Sequence, residues 1–392
     1  MRAAAVALLA AAPLAAQPAP TASPTAAPGV YTAWVGSEGD DRVSVVRFDA
    51  AAGAARVERS VRVGDNPTEL AGPHGLGLSP DARYVFVSTA HGAPFGGLLK
   101  LTARGDTVAG RVTLGAFPAT LQVSPDGAYV WVANFNLHGD MVPSSVSVVY
   151  APEMIEVARV RTCTMPHGSR LSADGRHHYS ACMMDDLLVD IDAQRFQIAR
   201  HLVLTPGAER GVAGAPAARA AAAGGHAGHD MSGHAVESAP AGAGAPATCT
   251  PTWAQPSPDG RVVWVACSKT NTIVEVDAAR WAVTRRLPAG EGVYNLAVTR
   301  DGRTLVATNK RARSVSVFDV ASGRETARIP TLRRVPSGVA VTPDDRYAFV
   351  TVEGVGSEPG TVEIVALATG RRVAAVDVGP QAGGIDVRLG AP

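Results

Sequence analysis

One short pattern constrains this chain more than any other feature. It appears as LSPDARYVFVST from Leu78, VSPDGAYVWVAN from Val123, LSADGRHHYSAC from Leu171, PSPDGRVVWVAC from Pro256, VTRDGRTLVATN from Val298 and VTPDDRYAFVTV from Val341. Each copy joins a small or apolar strand to an alternating one through a Ser/Thr-x-Asp turn. Asp and Gly supply the reversal, and the flanks carry the period of two that marks strands. The first turn residues, Ser79, Ser124, Ser172, Ser257, Thr299 and Thr342, are spaced by 45, 48, 85, 42 and 43 residues. The long interval equals one repeat plus an insertion of roughly 40 residues.

Every copy continues into two more strands, as in SVSVFDV from Ser314 and ETARIP from Glu325. Four antiparallel strands in so regular a period make one propeller blade, and a two-sheet sandwich would not explain the spacing. The chain begins with YTAWVG from Tyr31, VSVVRFDA from Val43 and RVERSVRVG from Arg56, three strands lacking a first partner, and ends with GGIDVRL from Gly383, one strand lacking its followers. Joined, they form a seventh blade from both termini, a closure that covers otherwise unpaired sheet edges. The expectation is an all-β, seven-bladed β-propeller occupying residues 30–392 as one domain.

With YVWVAN from Tyr129, TLVATN from Thr304 and the SPDG turns, the chain resembles the YVTN-repeat family of seven-bladed β-propellers over nearly everything from Tyr31 to Leu389 except the insertion. The resemblance implies kinship with the propellers of nitrite and nitrous oxide reductases and of lactonases. Such relatives carry haem, copper, lactone hydrolysis or binding alone, so the function must come from particular residues.

With the strands of a blade labelled A to D from the axis outward, every D-to-A and B-to-C link falls on one face of the disc and the SPDG turns on the other. His74, His167 and Met165 lie on D-to-A links. His91, His138 and Met183 lie at B-strand ends or on B-to-C links. Of the 10 histidines in the chain, only His177, His178 and His201 lie neither on this face nor in the insertion. His74 and His167, on links nearest the axis, are expected at the channel mouth.

The insertion, at about 206–247, is rich in Ala and Gly and reads as a flexible loop. It contains GGHAGHDMSGHA, with His226, His229, Met231 and His234. Imidazole suits Cu(II), and thioether sulfur favours Cu(I), so copper is the first choice of cofactor. Three His could also hold zinc or nickel. The candidate metal set is therefore His74, His91, His138, Met165, His167, His226, His229, Met231 and His234. As a solvated linker the same loop would carry only incidental metal affinity. Two other readings stand beside the metal one: a non-catalytic scaffold that docks a periplasmic protein or small molecule on this face, and an oxidase or lactonase-like hydrolase using a His and Arg170, for which the sequence singles out no carboxylate.

The cysteines flank two successive A-to-B hairpins, which predicts disulfides Cys163–Cys182 and Cys249–Cys267, with two other pairings open. Disulfides belong to an exported chain, and the N-terminus agrees. Residues 1–16 read as a signal peptide and 17–29 as a Pro-rich linker, giving a periplasmic or secreted monomer with no membrane span. There is no CxxCH for covalent haem and no HExxH or GxSxG. With 36 Lys+Arg against 35 Asp+Glu, the net charge of +1 gives no field to attract nucleic acid.

Overall fold

The repeat builds the same turn six times. In each copy the Ser or Thr hydroxyl donates to the Asp two residues on, at 2.5–2.7 Å for Ser79–Asp81, Ser124–Asp126, Ser172–Asp174, Ser257–Asp259, Thr299–Asp301 and Thr342–Asp344. The same hydroxyl accepts the N–H of the residue that opens the next strand, as Ser79 does from Tyr84 at 2.9 Å. These bonds satisfy the turn locally and fix the hairpin register.

The structure is a computed structural model, and it describes residues 29–64, 66, 68–91, 95–217 and 248–390. The proposed signal peptide, all of the linker but Gly29, and the segment with His226, His229, Met231 and His234 lie outside the described residues. Within them the chain forms seven antiparallel sheets and no α-helix, only a short 3-10 turn at Glu38–Asp40. No helix among the described residues is long and apolar enough to cross a membrane.

Numbered from the N-terminus, blade 1 is built from both ends of the chain. Its inner strand is Ala382–Leu389, followed outward by Val30–Ser37, Arg42–Asp49 and Ala54–Arg62. Tyr31 pairs with Leu389 and Val35 with Ile385, which is the expected closure. The inner strands of blades 2 to 7 are Pro73–Leu78, Pro118–Val123, Pro166–Leu171, Pro251–Pro256, Val293–Val298 and Pro336–Val341.

The core is a ring of seven apolar clusters, one between each pair of neighbouring blades. Phe86 and Leu98 of blade 2 meet Leu121 and Val132 of blade 3; Tyr31 and Phe48 of blade 1 meet Phe349 and Ile364 of blade 7. Because each blade buries both faces against neighbours, the ring is stable only when closed.

Both predicted disulfides are present, Cys163–Cys182 and Cys249–Cys267. The first runs between blades, since Cys163 is the penultimate residue of strand D of blade 3 (Ile155–Thr164) and Cys182 ends strand B of blade 4 (His177–Cys182).

The start of the insertion differs from a plain loop. Arg210–Ala213 adds a fifth strand to blade 4, pairing with Gln197–Val203. That outer strand would otherwise leave backbone groups unpaired. Glu209 bonds Arg286 of blade 5, and the Gly211 backbone sits so close to Trp281 that a Cβ there would meet the Trp281 carbonyl oxygen at 2.6 Å.

Candidate functional site at the axial mouth

The residue immediately before each of the seven inner strands has a left-handed backbone: Gly72 (φ 64°), Phe117 (49°), Met165 (55°), Thr250 (50°), Gly292 (67°), Val335 (66°) and Gln381 (54°). Five of the seven are not glycine, and Val335 is β-branched, so the bend costs on the order of 1–2 kcal/mol at such positions and persists because the ring over-determines it. The bend swings each chain toward the axis. Of the second residues of the inner strands, His74, His167, Tyr294, Ser337 and Gly383 line an axial cavity, joined by Arg170, Trp253 and Asn295.

His167 is the most constrained group at this mouth, with 2% of its surface exposed. Its Nδ1 faces the Thr252 carbonyl oxygen at 2.9 Å, so Nδ1 carries the proton and donates. Nε2 therefore accepts, and the Tyr294 hydroxyl donates to it at 2.9 Å. Burial holds the imidazole neutral, pulling its pKa to about 3, with His74 adding to the effect. Burial also raises the Tyr294 pKa. Lys310 lies 3.8 Å from the centre of the Tyr294 ring and pairs with Glu353 at 2.9 Å. Burial opposes the Lys310 charge, yet Glu353 and Tyr294 hold its pKa above the usual lysine value.

Opposite this group stands Glu38. Its Oε1 is 3.5 Å from His74 Nε2, and its Oε2 accepts from His91 Nε2 at 3.1 Å. That hydrogen bond raises the pKa of His91. His74 Nδ1 has no protein partner among the described residues. His138 stacks on His91 with ring centres 6.2 Å apart, and burial, then the neighbouring His91, lowers its pKa. Phe117 packs edge-on against His74, His91 and His138 at 5.3–5.5 Å.

The structure thus brings His74, His91, His138 and His167 to one face, with His74 and His167 ring centres 6.2 Å apart at the axis. It does not turn all of them to one point. Both nitrogens of His167 are engaged by protein. Met165 is buried in an apolar cluster with Ala90, Phe117, Ala119 and Phe135, and Met183 packs against the same cluster. Among the described residues no group of three or more His, Cys, Asp or Glu is placed to hold a metal ion.

Glu38, Tyr294, Lys310 and Glu353 were not singled out in the sequence. The rule that located the histidines would have found them. Glu38, Lys310 and Glu353 each follow a B strand, and Tyr294 is the second residue of an inner strand. The acid, the phenol and the ammonium carry no motif of their own, and only their link and strand positions mark them.

No protein-family model matches the chain, and no curated protein matches it. Solved structures do. Pseudomonas aeruginosa periplasmic gluconolactonase is 20% identical with a TM-score of 0.66, over 93% of this chain and 100% of that one. Kuenenia stuttgartiensis hydrazine synthase is 20% identical with a TM-score of 0.56, over 78% of this chain and 80% of that one. The chain shares the propeller fold of these proteins.

Proposed function

We propose that the axial mouth binds a small polar carbonyl compound and hydrolyses it, with lactones as the substrate class. The observation that carries this reading is the Glu38–His74 pair. The carboxylate stands at Nε2 and leaves Nδ1, the other ring nitrogen, as the base that takes a proton from water. The water oxygen then adds to the lactone carbonyl carbon, the ring C–O bond breaks, and the departing alkoxide receives that proton from His74 to give the hydroxy acid. The positive charge of Lys310, and of His91 when protonated beside Glu38, favours the developing oxyanion. The likeness to a solved protein titled a gluconolactonase supports the choice of substrate class. Two disulfides and the apolar N-terminus support a periplasmic or secreted site of action.

The test is a pH-stat assay over a panel of sugar-acid lactones. His74→Ala and Glu38→Gln should each lower kcat/KM by about 10²–10⁴-fold. Equal rates in wild type and both variants would remove the assignment.

A second reading rests on the His/Met composition of the segment at 226–234, outside the described residues, and on the stacked His91–His138 pair at the mouth. In it the segment captures copper, and the mouth is next to, rather than part of, the metal site. Metal analysis of exported, untagged protein tests it: stoichiometric copper supports the capture, and metal-free protein removes it.

A further inference from the structure

The axial cavity continues inward to Arg170, three residues along the inner strand of blade 4 from His167 and so about 10 Å of extended chain deeper. Its guanidinium stacks on the Trp253 ring at 4.4 Å. Nη1 donates to the carbonyl oxygens of Ser169 at 2.9 Å and Leu121 at 3.4 Å. Arg170 forms no ion pair among the described residues. The acid whose field it feels, Asp386, accepts instead from the backbone N–H groups of Leu78 and Val387, both at 2.8 Å.

A partly buried guanidinium without a paired carboxylate is costly, and its planar fork matches a carboxylate in shape and charge. Beside it Asn295, 5% exposed, lines the same cavity, and its Oδ1 has no hydrogen-bond partner among the described residues. That acceptor suits a ligand hydroxyl. The space itself is narrow, holding only a few waters, which fits a carboxylate better than a phosphoryl group. Gly75, Gly338, Gly383 and Gly384 form the facing wall.

We propose that the inner end of the cavity recognises the carboxylate and adjacent hydroxyl of a hydroxy acid, through Arg170 and Asn295. Resting on the hydrolytic reading of the mouth, this narrows the substrate class to lactones that retain a free carboxylate.

Calorimetric titration of the full exported chain with glycolate and with glucarate, at fixed ionic strength, tests it, with glucose and inorganic phosphate as controls. The hydroxy carboxylates should bind saturably and both controls should not. Arg170→Met should weaken binding by about tenfold or more while unfolding no earlier than wild type, because it removes a partly buried charge that has no ion-pair partner among the described residues. Should that variant not fold, Arg170→Lys keeps the charge, loses the fork, and should still weaken binding several-fold. Unchanged glucarate affinity in either folded variant, or phosphate or glucose binding as well as glucarate, would overturn the proposal. Turnover separates the two readings. If glucarate binds through Arg170 but no lactone is hydrolysed, the hydrolytic reading fails and the carboxylate site stands. If gluconolactone and the carboxylated glucaric acid lactone are hydrolysed with KM values that Arg170→Met leaves unchanged, the carboxylate site fails and hydrolysis stands.

Discussion

The Tyr294 hydroxyl of blade 6 donates to Nε2 of His167 in blade 4 across the axial mouth, while Nδ1 of the same ring donates to the Thr252 carbonyl of blade 5 between them. One neutral imidazole thereby ties three consecutive inner strands. Tyr294→Phe removes the only protein donor, among the described residues, to a buried acceptor and should lower stability by about 1–3 kcal/mol. Chemical denaturation checks this; a variant with unchanged midpoint and slope would show that the bond is not formed.

Acid should destabilise the protein through two histidines. His167 and His178 are both held near a pKa of about 3, chiefly by burial, against an ordinary value of 6.5. His178 has no hydrogen-bond partner at either ring nitrogen among the described residues and stacks on Trp131 with ring centres 4.7 Å apart. Because the folded pKa lies below the unfolded one, each contribution is fully present above pH 6.5. It is lost as pH falls toward 3, by roughly 1.4 kcal/mol per pH unit per histidine. His91 has the opposite sign: its raised pKa stabilises most at low pH and fades as pH rises through it. His178→Phe keeps the stacking and should flatten the acid limb by about half. Identical acid limbs in wild type and variant would contradict this.

Removing residues 383–392 should open the ring. Strand B of blade 1 loses its inner partner from Tyr31↔Leu389 to Val35↔Ile385 and keeps only the Ser37↔Ala382 pair, and the apolar cluster shared by blades 1 and 7 loses Ile385 and Val387. Loss of soluble monomer or a large fall in Tm is expected; unchanged thermal unfolding would refute the closure.

Reducing the two disulfides should cost about 3 kcal/mol each on the chain-entropy account, since the cysteines they join are 19 and 18 residues apart. Urea unfolding with and without reductant measures it.

Most of the fold was legible in the sequence because the same Ser/Thr-to-Asp turn and the same strand period recur, and each is a local signal repeated six times. The closing strand followed from counting hairpins. The fifth strand, Arg210–Ala213, was hidden because its four residues carry no alternation and pair only with an edge supplied by the rest of blade 4. In the site, link positions predicted which face the histidines share. They could not predict the orientation of individual rings, such as the engagement of both His167 nitrogens by Thr252 and Tyr294, because those partners come from strands about 85 and 127 residues away. Met165 is buried in an apolar cluster with Ala90, Phe117, Ala119 and Phe135, neighbours from other blades that its own sequence does not announce.

The most direct test of the hydrolytic account is the rate of sugar-acid lactone hydrolysis by protein stripped of metal with a chelator, compared between the full chain and a variant lacking residues 218–245. Glu38–His74 chemistry needs neither copper nor the His/Met segment, so both proteins should hydrolyse lactone at equal rates, and Glu38→Gln should lower kcat/KM by about 10²–10⁴-fold in each. No hydrolysis by the stripped full chain, with activity restored only when copper is returned, would contradict it.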